Sequence, residues 1–523
     1  MILRKTIVFL LFWAAGLHAQ SVYLPLDHWA YDFMDRMETR GFLQHIRNGS
    51  KPFTRERCSQ IIQLLDEEAQ TSPERFSDIE KQMIERLKGE FFAELHSQDV
   101  SIQSKEKEPH FYDRNFKQGS VSIDALMGYS YTGRTADAQT SERKIHKGYY
   151  GAAIRGNVGP LGFYSDNRIY SEWGSRKYLQ RYDASEGYPL STSRDSSRAI
   201  WDVSDSYLTF GFKSIHLQWG RDNVQWGPLR KSGLMLSGSA PSFDLVKLHF
   251  DLGPSTFTWL HGELRSDYSH KWIAAHRLEL SLSNTLDIGL QEVVIYGRRG
   301  LETAYLNPIL PYLVAEHTLD DRDNMSLGLD FDFHYWNNLK FTGEFFIDDL
   351  FAPWEIFDDF WGNKLAFGLG ASWVNPFGLD DTELSLEYMR IEPFVYTHDD
   401  SVNVFEHYAS GLGSNLQPNS DRFRIEANHR FSLQLQATGI VSVSRHGNGN
   451  RRTPHKTEDG ETKSFLGRTV ERVAKSGCEV QWEPVRDLRF GVSAFYCAVQ
   501  NSELIVEDDR AWTEGFISVN WNW

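Results

Sequence analysis

The sequence predicts an all-β transmembrane barrel of about 18 antiparallel strands, preceded by a small N-terminal α-helical domain. Three observations carry that expectation. The final stretch, Phe516-Ile517-Ser518-Val519-Asn520-Trp521-Asn522-Trp523, points Ile517, Val519, Trp521 and Trp523 one way and Phe516, Ser518, Asn520 and Asn522 the other. This period-2 alternation recurs about every 10–25 residues back to residue 119, the weak repeated signal of a membrane barrel. Short and long connections between the alternating segments also take turns, as periplasmic turns and extracellular loops do. Beyond the N-terminus, no run supplies the roughly 18 apolar residues of a membrane-crossing helix. A mean hydropathy of −0.46 suits a barrel, whose strands are only half apolar and whose loops are polar.

From the N-terminus, Met1–Ala19 reads as a secretory signal. Arg4 and Lys5 give the positive start, Thr6 to Leu17 the apolar run, and Leu17-His18-Ala19 the small-residue cleavage site. Losing these two cations takes the formal charge from −16 to −18. A chain this acidic, without a basic stripe, is expected to have no nucleic-acid partner. Residues 20–97 carry helical spacing instead: Trp29, Phe33 and Met37, then Ile61, Ile62, Leu64 and Leu65, then a third helix from Ser77 to Leu95. This reads as a small periplasmic domain packed under the barrel. Residues 98–118 are polar and charged and read as a linker to a barrel spanning 119–523.

Strands are expected at 119–132, 147–158, 161–173, 202–211, 213–220, 242–251, 255–265, 270–281 and 285–296. The second half continues at 325–336, 338–349, 363–373, 381–391, 421–430, 432–445, 465–482, 486–501 and 510–523. The clearest is Leu327-Gly328-Leu329-Asp330-Phe331-Asp332-Phe333-His334-Tyr335, apolar on one face and Gly, Asp, Asp, His on the other. In a soluble sandwich the polar face would meet solvent; in a barrel it lines a wet lumen while the apolar face meets lipid. The connections decide. Short turns such as Gly159-Pro160, Gly253-Pro254, Ser283-Asn284 and Asn337-Asn338 alternate with long segments, only Ser266-Asp267-Tyr268 breaking the pattern. An even strand number returns the C-terminus to the periplasmic side, where the helices must also be. High aromatic content (Trp 16, Tyr 22, Phe 34) suits interfacial belts.

Three cysteines make no disulfide framework. Cys478 and Cys497 fall on the two strands of one hairpin and could pair in an oxidising periplasm, but their off-centre register favours two buried or lumenal thiols; Cys58 reads as helix core.

Two long connections stand apart. One runs Trp219-Gly220-Arg221-Asp222-Asn223-Val224-Gln225-Trp226-Gly227-Pro228, then Leu234-Met235-Leu236-Ser237, then Ala240-Pro241. The other runs Glu302-Thr303-Ala304-Tyr305-Leu306-Asn307-Pro308-Ile309-Leu310-Pro311-Tyr312, followed by Asp323-Asn324 and by Gly343-Glu344-Phe345-Phe346-Ile347-Asp348-Asp349. Together they resemble the capsule assembly Wzi family of outer-membrane proteins. That resemblance implies an 18-stranded barrel, closed rather than open as a pore. It also implies a lectin-like protein that holds capsular or exopolysaccharide at the cell surface and supports its attachment or assembly. Separately, Pro25 to Tyr31, Arg40-Gly41-Phe42 and Lys51 to Glu56 resemble a single S-layer homology motif. This implies peptidoglycan or another cell-wall polymer as a partner for residues 20–97.

Sugar sites pair aromatic faces, which stack on the C–H side of a ring, with planar polar groups that bond its hydroxyls. Trp219, Arg221, Asp222, Asn223 and Trp226 offer such a set, with Arg221 expected to pair with a lumenal carboxylate. Phe351, Trp354, Phe357, Phe360 and Trp361 beside Asp348, Asp349, Asp358 and Asp359 offer another. Gly227, Pro228, Ser237, Asn307 and Pro308 read as structural, since Gly and Pro fix tight turns. The acidic pairs lack the ligand spacing of an EF-hand, and His446 and His455 flank a Gly/Asn-rich run, so no metal or other cofactor is expected. HExxH, CxxC, Walker A and Gly-x-Ser-x-Gly signatures are missing, and no enzyme is expected. A porin-like channel and an outer-membrane-to-cell-wall tether remain the alternatives, and outer-membrane lipid is a partner in every case.

Overall fold

The computed structural model describes residues 21–97, 108–116, 119–135, 142–178, 190–212, 214–230, 233–266, 270–350 and 356–523. The expected signal segment and most of the expected linker lie outside these residues. Eighteen antiparallel strands close into a barrel. The first six are β1 (Gly119–Arg134), β2 (Arg143–Val158), β3 (Leu161–Gly174), β4 (Arg198–Phe212), β5 (Ile215–Asp222) and β6 (Phe243–Asp251). Next come β7 (Ser255–Leu264), β8 (Lys271–Ser283), β9 (Leu286–Gly297), β10 (Asn324–Trp336), β11 (Leu339–Asp349) and β12 (Lys364–Val374). The last are β13 (Thr382–Ile391), β14 (Ser420–Arg430), β15 (Leu435–His446), β16 (Glu471–Val485), β17 (Leu488–Gln500) and β18 (Arg510–Asn522). Pairing of β18 with β1, from Glu514↔Arg134 to Asn522↔Leu126, shuts the sheet on itself and removes its edges.

Each expected strand has its counterpart, with the ends moved. β5 extends to Asp222 and takes Arg221 and Asp222 into the wall, whereas β16 starts only at Glu471. The expected linker needs correction: Tyr112–Phe116 is a strand, paired with Gly119–Ile123 of β1. It occupies the stretch of the β1 edge that β18 leaves uncovered.

Burial along the strands runs opposite to a soluble protein. On β10 the polar Asp330, Asp332 and His334 are buried, whereas Leu329 and Tyr335 are 46% and 65% exposed. Apolar side chains on other strands, including Ile154, Ile169, Leu208, Leu290 and Leu369, also look outward. A wall with polar groups sealed inside and apolar groups bare outside fits lipid, not water.

The helices are α1 (Ala30–Thr39), α2 (Arg55–Thr71), α3 (Asp78–Glu90) and α4 (Phe92–Ser97). Thr54 caps α2, its side chain accepting the Arg57 N–H, and Ser77 and Glu80 form a capping box on α3. The single third helix expected from Ser77 to Leu95 is broken at Phe91, whose φ of −101° and ψ of 25° end the α3 geometry. Leu24, Phe33, Met37, Ile62, Leu65, Ile84, Leu87 and Phe91 form the core of this domain with Cys58 among them, and burial pushes the Cys58 thiol up to about 12.

This domain seats in the short-turn end of the barrel. Arg36 donates to Asn375 Oδ1 (2.6 Å) and the Thr382 carbonyl (3.0 Å), and the Asn338 N–H donates to the Thr39 carbonyl (2.8 Å). His45 meets Asn284 at 3.0 Å, Arg47 donates to the Gly253 carbonyl at 2.6 Å, and Arg86 donates to Glu483 at 2.6 Å. Each of these partners lies at or beside a short turn.

The outward face sets the first expected outcome. Leu329→Arg destabilises folding into lipid vesicles by about 2–4 kcal/mol, the cost of a cation on the lipid face near mid-membrane. The urea midpoint of the heat-modifiable folded band measures it; an unchanged midpoint would place Leu329 in water.

Candidate functional site inside the barrel and at its long-loop rim

Two long connections fold inward rather than away from the wall. Val224, Trp226, Leu229, Leu234, Met235 and Leu236, between β5 and β6, form one apolar core with Val395, Tyr396, Phe405 and Leu412, between β13 and β14. Inward wall residues Leu245, Leu260, Ile273, Val293, Phe346 and Met389 complete it. Trp226 is 1% exposed and belongs to a small sheet in which Gln225–Trp226 pairs with Ser50–Lys51 of the helical domain and with Leu236–Ser237. Ser237 ties the two connections together by donating its N–H and hydroxyl to the Leu412 carbonyl (2.9 and 3.2 Å).

Gly227 explains the Trp-Gly-Pro turn. Its φ of +107° suits glycine, a Cβ there would come within 2.1 Å of Glu344 Oε1, and its N–H donates to the Gly49 carbonyl at 2.9 Å. Glu344 accepts the N–H groups of Leu229 (3.1 Å) and Leu234 (2.7 Å), and two inward positions further along β11, beyond Phe346, Asp348 accepts the Tyr396 N–H (2.7 Å) and the Ser326 hydroxyl (3.1 Å). The Glu-x-x-x-Asp spacing therefore grips both inward connections, one carboxylate each, because residues i and i+4 of a strand share a face.

Buried charge fastens the helical domain as well. Arg277 of β8, with 0% side-chain exposure, forks onto Asp330 (2.5 and 2.8 Å) and donates to Ser50 Oγ (2.9 Å). Glu279 accepts the Gly49 N–H (2.9 Å) and the Ser50 hydroxyl (2.6 Å). Lys340 of β11 donates to Asp35 (2.6 Å) and Glu38 (2.7 Å) of α1 and pairs with Asp332 of β10 (2.7 Å). Asn48 joins them, its amide bonding Asp35 (3.0 Å) and Glu38 (2.5 Å). Neighbours on one helix respond differently: burial pushes Glu38 up to about 7, while at Asp35 burial is outweighed by Lys340, Arg230 and Lys51, which hold it below the usual carboxylate range. Arg230, from the first inward connection, adds pairs to Asp32 (3.0 Å) and Glu383. A cavity of about 560 Å³ remains between the domain and the β12–β18 side of the wall, lined by charged groups such as Arg36, Arg230, Glu387 and Arg424.

The first expected sugar-binding set is not assembled. Trp219, 64% exposed, and Arg221 point outward from β5, Asp222 points inward and accepts from Gln218 (2.6 Å), and Trp226 is sealed in the lumenal core. Arg221 forks onto Asp244 (2.7 and 2.9 Å) on the outward face, not onto a lumenal carboxylate. Asn223 clamps its own connection by donating to the carbonyls of Gly238 (2.9 Å) and Ala240 (2.6 Å). The period-2 rule applied to β5 separates these residues once the strand is extended by two positions.

The second set is split likewise. Asp348 is engaged inside, whereas Asp349 stays 56% exposed near Lys364 at 3.6 Å. Trp361 stacks flat on His455, centroids 3.9 Å apart at 4°, with the Phe394 edge against the same imidazole at 5.2 Å. Trp354 lies outside the described residues. His446 bonds Ser420 (2.9 Å), and His455 bonds the Gly460 carbonyl (2.8 Å), so each has its own partner. Asn307 Oδ1 accepts the Ile309 N–H (3.1 Å), a turn role shared with Pro308. Cys497 is buried and free; Cys478, paired in register with Ala494, is exposed, contrary to the expected buried or lumenal thiol. The two occupy opposite faces, which precludes a bridge. Lys340, Arg277, Glu279 and Asp35 carry no local sequence signal, and Asp330 and Asp332, expected to line a wet lumen, are instead buried against Arg277 and Lys340.

A family model described as capsule assembly protein Wzi matches residues 93–510. Among solved structures, the chain is similar to Wzi of Escherichia coli, an outer-membrane protein involved in group 1 capsule assembly and described as a carbohydrate-binding β-barrel. That match has a TM-score of 0.60 at 14% identity and covers 95% of this chain and 98% of that one. OprD of Pseudomonas aeruginosa matches at TM-score 0.46 and 10% identity, over 77% of this chain and 93% of that one. OccAB1 of Acinetobacter baumannii matches at TM-score 0.47 and 9% identity, over 77% and 96%. No curated protein matches the chain by sequence.

Replacing Lys340 tests the internal fastening. Lys340→Met leaves buried carboxylates without their cation and weakens the seating of the helical domain by about 3–5 kcal/mol. The readout is faster hydrogen–deuterium exchange of α1 amides with the wall strands still protected; unchanged α1 exchange would contradict the role.

Proposed function

Because the chain belongs to the capsule assembly Wzi family, we propose that it is a lectin-like outer-membrane barrel that holds capsular or exopolysaccharide at the cell surface. The observation that carries this reading is the family match running through nearly the whole wall, on a barrel whose interior is packed with its own connections. A lumen filled by Trp226, Tyr396 and their neighbours speaks for a holder and against a porin-like diffusion channel. The alternation of connections favours short turns and helices on the periplasmic side and long connections outside. Outer-membrane lipid then surrounds the apolar wall, and residues 20–97 face peptidoglycan or another cell-wall polymer. The match to a capsule assembly family favours binding over catalysis.

The glycan is best met at the long-loop rim. Trp361 and His455 present a stacked pair, and Phe394 adds an aromatic edge. Asp349, Asp358 and Asp359 supply acceptors for sugar hydroxyls. Trp219 on the outer wall and Asp348 inside are not offered to such a ligand.

Calorimetry of purified protein against surface polysaccharide from the producing strain tests the reading. Trp361→Ala is expected to weaken binding by about 0.5–1.5 kcal/mol, the worth of an aromatic contact beyond its area. Absence of binding by the unaltered protein, together with unchanged retention of surface glycan in a deletion strain, would overturn it.

A further inference from the structure

On most of the wall, one face packs inside and the other is bare. β8 and β9 differ near the long-loop end, where both faces are covered. Ile273, Ala275, Val293 and Ile295 look into the lumenal core, and the outward Ala274, Val294 and Tyr296 have 0% exposure. Their outer cover is the connection between β9 and β10, residues 298–323, which turns back down the outside of the barrel. Its short helix α5 (Tyr312–Thr318) and Tyr305 pack Tyr305, Tyr312 and Ala315 onto that wall.

Beneath the cover lies a histidine–carboxylate pair on the outward face of the wall. His276 and Glu292 meet at 2.7 Å, and Glu292 also accepts the Tyr312 N–H at 2.7 Å. Tyr312 stacks on the His276 ring, centroids 4.4 Å apart, and its hydroxyl accepts from Trp259 at 3.1 Å. One outward step toward the short-turn end, the wall returns to Leu278 and Leu290, the latter 47% exposed, and continues to Leu329 at 46%. The polar pair thus sits within the apolar band, not above it.

The cover's own outer surface is apolar: Ile309 is 83% exposed, Val314 51% and Leu313 40%. Residues 304–315 (Ala-Tyr-Leu-Asn-Pro-Ile-Leu-Pro-Tyr-Leu-Val-Ala) contain no charge, whereas Arg298, Arg299 and Glu302 precede them and Glu316, His317, Asp320, Asp321, Arg322 and Asp323 follow. At the charged neck, Arg299 forks onto Asp323 (2.5 and 2.9 Å), which also accepts the Tyr305 hydroxyl (2.8 Å). Several backbone donors of the uncharged tip have internal acceptors or are absent. Ile309 N–H goes to Asn307 Oδ1, Val314 and Ala315 N–H go to the Pro311 carbonyl, and Pro308 and Pro311 have none. Each donor so disposed of lowers the cost of placing the tip against hydrocarbon.

We propose that residues 304–315 form a re-entrant cover embedded in the outer leaflet, where Ile309, Leu313 and Val314 meet lipid acyl chains and Tyr312 seals the His276–Glu292 pair from them. The occupant is lipid because this surface continues the lipid-facing wall of β8 to β10. The inference rests on the membrane-barrel fold and is independent of the glycan reading.

An environment-sensitive fluorophore tests it in the full chain, folded into phosphatidylcholine vesicles. It is attached to Ile309→Cys, Leu313→Cys or Thr303→Cys in a Cys478→Ser background. At positions 309 and 313 the expected result is blue-shifted emission, quenched several-fold more by acyl-chain nitroxides than by aqueous iodide. Position 303, beside the charged neck, is expected to reverse that order. Iodide quenching at 309 and 313 equal to that at 303 would overturn the proposal. So would protection at 309 and 313 from both quenchers, which would mean another protein surface covers the site. Polysaccharide binding, measured on the unlabelled vesicles, reports separately on the proposed function.

Discussion

The charges that β8, β10 and β11 turn inward against the helical domain meet opposite charges, because that part of the interior is filled rather than flooded. That constraint organises the molecule. A buried unpaired ion is far more costly than an exposed one, so Arg277 and Lys340 appear opposite Asp330 and Asp332. The inserted segments are cut to reach them. Gly49 is the sharpest instance, since a Cβ there would lie 2.1 Å from the Arg277 guanidinium. The helical domain, the two inward connections and the wall are therefore parts of one polar lock surrounding one apolar core.

The outer face obeys the opposite demand. Leu329, Tyr335, Leu290 and Ile154 stay bare because hydrocarbon replaces water around them. At one departure from this rule, His276 and Glu292, the chain lays its own uncharged segment over the pair. The same physical logic serves inside and outside: Asp330 and Asp332 inside, and Glu292 outside, each have a partner built for them.

Much of the architecture was legible in the sequence because period-2 alternation is strict in strands such as Leu327–Tyr335, and because turn and loop lengths alternate. The fold of the connections was not. Trp219, Arg221, Asp222 and Trp226 are adjacent in sequence and look like one sugar-binding cluster. Two more residues of β5 than expected send the first two outward, the third inward, and the last into a small sheet with Ser50. Asp348 and Asp349 are neighbours with opposite fates for the same reason. Pairings between Lys340 and α1 span about three hundred residues of chain (Lys340–Asp35, |i−j| = 305), and no local pattern reports such a distance. Asp330 and Asp332 were legible on one strand face, but as groups lining a wet lumen rather than as partners of buried cations.

The resemblance between motif and family also takes on a physical meaning. Trp-Gly-Pro, the apolar triplet ending at Ser237, and Glu344 with Asp348 are joined to one another rather than to a ligand, and they hold the interior shut. Planar-bilayer recording of the purified chain tests that closure most directly. The expected trace is flat, with no steady current at ordinary membrane potentials; a stable open conductance would contradict a filled and fastened lumen.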